Sequence, residues 1–183
     1  MHSNTAGRHG VRALLMALLA AGVAAVKADE PLPALAELGF ELVDEQPDAA
    51  NDAVLRRRLA ALQVQLQQGL HQQGLYRVVD TAPAQDLIDG VRAQNALVYR
   101  CNGCLAEVGQ RLGTRLVAVG WVQKVSNLIL NINVSLRDAA TNQEVLIKSV
   151  DLRGNTDETW TRGMAFMLRD WSERRERNPR YGQ

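Results

Sequence analysis

Over residues 116–122 the chain is apolar on both pleat faces. Leu116, Ala118 and Val122 fall on one side, and Val117, Val119 and Trp121 on the other. A strand without a polar face is covered above and below, which places it in the middle of a sheet. Ser126 and Asn127 follow, a pair suited to a two-residue hairpin turn because Asn tolerates positive φ. The pattern then changes. Leu128, Leu130, Ile132, Val134 and Leu136 share one face, while Asn131, Asn133, Ser135 and Arg137 share the other. Strict alternation predicts a strand with one face on the core and one open to solvent or a partner. Residues 139–143 have turn composition, and 144–152 return as the third strand of a meander.

Upstream, Leu38, Phe40 and Leu42 alternate with Gly39, Glu41 and Val43, which predicts a first strand. Asn51 or Asp52 can cap a helix over 52–73, whose stripe is Leu55, Leu59, Leu62, Leu66 and Leu70 and whose stop is Gly74. Residues 76–80 form a short second strand. Pro83 suits the first turn of another helix with Leu87, Ile88 and Val91 on its buried side. A last helix over 156–173 buries Trp160, Met164, Met167, Leu168 and Trp171, with Asn155 and Glu158 spaced as a capping box. These elements predict a single-domain α/β fold. Its mixed sheet has about five strands in the order 2-1-3-4-5, the first three parallel and the last three an antiparallel meander, with helices packed on it. The predicted boundaries are a lead-in over 29–36, the domain over 37–171, and a flexible polar tail over 172–183.

The first 28 residues read as a secretory signal peptide. Arg8 and Arg12 form the basic start, residues 13–26 are apolar and uncharged, and cleavage falls between Ala28 and Asp29. An apolar run of about 14 residues is too short to span a bilayer. Its removal takes away three basic and no acidic residues and leaves 18 basic against 20 acidic. That balance gives no basic footprint for nucleic acid. No later run is long enough for a membrane span.

Cys101 and Cys104, in the stretch CNGC, are the only cysteines. With Leu105, Val108 and Leu112 they follow helical spacing up to Gly113. In an exported chain so close a pair is expected to be oxidised. It then either braces a helix start or acts as a redox pair at a helix N-terminus. A metal site is a third option, but a closed zinc site needs about four ligands and only His71 lies beyond the leader. The row Asn131, Asn133, Ser135 and Arg137 is either a polar binding surface or the wet face of a strand. No GxSxG, HExxH, P-loop or strand-linked GxGxxG is present, so no catalytic residue and no cofactor is assigned.

The stretch GWVQKVSNLILNINVSLRD, with CNGC before it and RGNTDETWTRG after it, resembles an uncharacterised family of exported bacterial proteins, a domain of unknown function. The resemblance runs over residues 40–169. It implies a periplasmic protein, in some members one supporting quinoprotein dehydrogenase systems. More distantly, the element order resembles the N-terminal domain of the Tol-system translocation protein, which implies binding to another protein. The expected function is a non-catalytic periplasmic binding or assembly module whose partner is another periplasmic protein. The alternative is a thiol–disulfide or metal-handling accessory built on Cys101 and Cys104.

Overall fold

The structure, a computed structural model, describes residues 31–183. The expected signal peptide and its Ala28–Asp29 cleavage site lie outside the described residues. Five strands form one sheet: β1 (Ala34–Asp44), β2 (Arg77–Val78), β3 (Leu116–Lys124), β4 (Leu130–Asp138) and β5 (Glu144–Leu152). Their order is β2-β1-β3-β4-β5, as the sequence pattern predicts. β1 runs parallel to both β2 and β3, and β3, β4 and β5 form the antiparallel meander. Four helices complete the domain: α1 (Asp52–Gln72), α2 (Gln85–Gln94), α3 (Cys104–Leu112) and α4 (Asp157–Arg177).

The doubly apolar strand β3 lies in the centre, and its two faces belong to two separate cores. Leu116, Ala118 and Val122 pack into the larger one, under α1 and α4, with Leu62, Leu66, Trp160, Met164 and Trp171. Val117 and Val119 pack into the smaller one, under α2 and α3, with Ile88, Val91, Leu105 and Val108. Gly120 lets Phe40 lie across β3, since a Cβ there would sit 2.4 Å from the ring.

Several features differ from the sequence reading, the first of them in β1. Leu38 does not share a face with Phe40 and Leu42. Gly39 has φ +85° and the register with β3 slips between Glu37 and Phe40, a bulge that reverses the side-chain alternation. Leu38 therefore joins the smaller core while Phe40 and Leu42 pack against the larger one. β1 also begins at Ala34, inside the expected lead-in, because its first residues pair with β2. Second, the hairpin between β3 and β4 spans 125–129, closed by bonds among Val125, Ser126 and Ile129. Leu128 is thereby left 74% exposed. Third, the box that caps α4 is Thr156 with Thr159, whose hydroxyls accept from each other's backbone N–H one residue later than predicted. Asn155 instead accepts from Trp160 Nε1 and Arg58. Last, the expected tail is ordered structure: α4 continues to Arg177, and Gly182 is buried where its carbonyl accepts from the Tyr76 hydroxyl. Arg175 stabilises this return by bonding the Tyr76 oxygen and the Tyr181 carbonyl.

Candidate functional site: the half-open sheet face

α2 and α3 cover only part of their side of the sheet. The core beneath them contains Ala36 and Leu38 from β1 and Val117 and Val119 from β3, but no residue of β4 or β5. Beyond its edge lie the four polar residues of β4 and, beside them on β5, Ile147, Ser149 and Asp151. All three β5 residues are exposed, and Ile147 keeps 53% of its surface. Thus the polar row and the cysteine loop, far apart in sequence, come to one side of the molecule. Asn142, in the turn after β4, donates to Asn102 of the CNGC loop over 3.1 Å.

The polar row is largely self-satisfied. Asn133 donates to Asn131 at 2.5 Å, Ser135 to Glu144 at 2.7 Å, and Arg137 to the Asn142 carbonyl at 3.2 Å. Asn133 and Ser135 are buried, so the row is not the wet face of an outer strand; β5 holds the outer position instead. Among the fully buried side-chain atoms of this row, the Arg137 Nε is without a partner.

Cys101 and Cys104 are joined by a disulfide. Cys104 opens α3 and is buried; Cys101 stands just before the helix and is half-buried. Gly103 between them takes φ +93°, a conformation that suits glycine and turns the chain into the helix. The bond borders a cleft of about 390 Å³ between α2 and α3, whose charged lining is Asp86 and Glu107. Among the described residues no group of three or more His, Cys, Asp and Glu is placed to hold a metal ion.

Two groupings escaped the sequence reading. Tyr99 stacks on Trp121 with centroids 4.2 Å apart, and Arg100 lies over Tyr99. Glu41 fixes this platform from β1 by accepting from the backbone of Val98 and Tyr99. Nothing in the local pattern links residues 41, 99 and 121; the sheet register does. The second grouping is a pair of buried lysines beneath the opposite face. Lys124 bonds Asp44 at 2.8 Å, and Lys148 bonds Asp170 at 2.5 Å. The Lys148 hydrogen bond, with help from Arg174, holds the Asp170 carboxyl below the usual range. Glu37 is shifted the other way. Burial pushes its carboxyl up, although Gln67, Gly39 and Gln63 all donate to it.

A five-stranded mixed sheet, closed by helices on one face and half covered on the other, defines a small α/β domain whose free sheet surface is its distinguishing feature. Residues 33–171 match the family DUF3280, described as "Protein of unknown function (DUF2380)", and the chain belongs to that family. The resemblance to an uncharacterised family is therefore borne out. No curated protein matches the chain. Among solved structures, it is similar to the LpoB C-terminal domain from Salmonella enterica at 12% identity and a TM-score of 0.44, over 69% of this chain and 87% of that one. It is similar to lipoprotein GNA1162 from Neisseria meningitidis at 16% identity and 0.45, over 79% and 96%. TolB from Acinetobacter baumannii is similar at 14% identity and 0.47, over 82% of this chain but 29% of TolB.

Proposed function

We propose that the protein is a non-catalytic binding or assembly module of the periplasm, and that its contact surface is the exposed outer side of β5 beside the polar row of β4. The observation that carries this reading is the uneven cover: one core spans the sheet, while the other stops at β3 and leaves Ile147, Ser149 and Asp151 exposed. Export through residues 1–28 fits a chain whose two cysteines are disulfide-bonded, a state that persists in oxidising compartments. The bond itself then serves as a brace for the start of α3. A support role beside an oxidoreductase, implied by the family resemblance, gains nothing from the comparisons.

A photo-cross-linking residue at Ile147, compared with one at Val64 on α1, tests this in cells exporting the protein. Val64 is 51% exposed, so both positions are accessible. A discrete adduct from Ile147 and none from Val64 is expected; adducts from neither position, or equally from both, would defeat the reading.

One observation favours thiol chemistry as a second reading: the disulfide borders an open cleft. Its reduction potential separates the two. A value below about −300 mV marks a brace, and one near about −120 to −200 mV an exported redox catalyst.

A further inference from the structure

Strand β5 is an outer strand of nine residues, with no strand beyond it among the described residues. The register tells which of its backbone groups are free. Ala139 N–H donates to the Arg115 carbonyl, so alternation down the ladder directs residues 131, 133, 135 and 137 of β4 towards β3. The intervening Leu130, Ile132, Val134 and Leu136 bond to β5 at Leu152, Val150, Lys148 and Leu146. Ile147, Ser149 and Asp151 are left with N–H and C=O groups directed away from the sheet. These are the same residues whose side chains lie on the uncovered face.

Exposed edges of this length template pairing with other chains unless they are blunted, and an inward-pointing charge is one common guard. β5 has such a charge in Lys148, but Asp170 and the rings of Trp171 and Tyr181 draw it beneath the sheet. Lys148 therefore does not guard the central stretch of the edge.

Beside this edge, on the α4 side, runs a groove of about 630 Å³. Its charged lining is Arg153, Arg162 and Arg169 against the single Asp151. Among the described residues Arg162 forms an ion pair with Glu158 of its own helix at 3.2 Å, with both side chains exposed. Arg169 lies over Phe166, whose ring is 52% exposed. A strand laid along β5 would send alternate side chains to these arginines and the others to the uncovered face beside Ile147.

We propose that β5 receives an extended segment of a partner protein as an added strand, with acidic side chains over the α4 arginines and apolar ones against Ile147. This rests on the binding-module reading and names how the partner is held. Main-chain hydrogen bonds supply the affinity, and the two side-chain rows supply the selectivity. A second copy docking through the same edge would set an arginine-rich patch against itself, since a two-fold interface meets its own surface.

The probe is a blocked decapeptide alternating valine and glutamate, titrated into the isotope-labelled protein with residue amides followed by NMR. Three peptides are compared: this one, its valine–lysine counterpart, and a version N-methylated at alternate residues. The expected result is shifts centred on Ile147, Ser149 and Asp151, about ten-fold or more weaker binding of the lysine peptide, and loss of binding on N-methylation. Ser149→Pro should abolish binding, because it removes an outward N–H without breaking a bond to β4. Arg162→Glu with Arg169→Glu should weaken it by about ten-fold or more. Absence of binding, shifts centred elsewhere, equal affinity for the lysine peptide, or protein dimerisation through β5 would each overturn the proposal. If Ser149→Pro does not fold, the N-methylated peptide decides alone. In cells, an Ile147 adduct that survives Ser149→Pro would sink strand addition and leave the module reading standing. Absence of any adduct in the unmodified protein would sink the module reading.

Discussion

The two faces of the sheet are built to different standards. Under α1 and α4, Trp160, Met164, Met167 and Trp171 interlock with all the longer strands, and buried ion pairs close the margins. Under α2 and α3 the core reaches only β1 and β3, and a short disulfide loop stands at its border. One face holds the fold and the other is left partly unbuilt. The closed face therefore carries most of the apolar core, and the exposed side of β5 carries little of it.

Large-to-small substitutions test that division most strongly. Trp171→Ala on the closed face is expected to cost about 3–5 kcal/mol in urea unfolding, since it empties a buried site and removes the edge contact with Tyr76. Leu105→Ala in the smaller core should cost about 2 kcal/mol, because fewer neighbours hold the cavity open. A larger loss at Leu105 than at Trp171 would reverse the comparison. Replacing both Cys101 and Cys104 by serine should cost less than the roughly 3 kcal/mol of a fifteen-residue loop, with the circular dichroism spectrum unchanged.

A pH dependence sharpens the contrast within the closed face. Burial raises the Glu37 carboxyl above its ordinary range, so folding favours its protonated form. Its contribution is full below the unfolded value near about pH 4 and is lost as pH rises through the raised folded value. Glu37→Gln escapes that loss. The variant should match the parent in acid and become the more stable of the two towards neutrality; a gap that widens on acidification would contradict the assignment. Asp170 runs oppositely. Lys148 lowers its carboxyl, so its contribution is present above the ordinary range and falls away in strong acid. The smallest effect belongs to the uncovered face, where Ile147→Ser should shift stability by no more than about 0.5 kcal/mol.

The central strand, the meander and the strand order were legible in the sequence because hydrophobic period is a local property. The faces of β1 were not, since one positive-φ glycine reverses the alternation and Gly39 looks like any other residue in a linear pattern. The site was legible only as fragments. Alternation over 131–137 marked a polar row, yet it could not show that Glu144 and Asn142 already occupy that row. The Tyr99–Trp121 platform and the arginine groove beside β5 each join residues from separate elements, and only tertiary structure makes them neighbours. The polarity of 172–183 suggested a loose tail, but Gly182 accepts from Tyr76, 106 residues away in sequence, and Arg175 bonds both the Tyr76 oxygen and the Tyr181 carbonyl.

The buried lysines bear on the choice of reagents. The whole chain has three lysines, and Lys27 lies in the expected leader. The other two, Lys124 and Lys148, each show 5% of their side chains. The described surface is therefore cationic through arginine alone. An amine-directed reagent would leave the native domain almost unmarked at its lysines and label them once the sheet opens. Lysine acylation becomes a gauge of unfolding, and the extents at residues 124 and 148 would report separately on the end of β3 and the middle of β5.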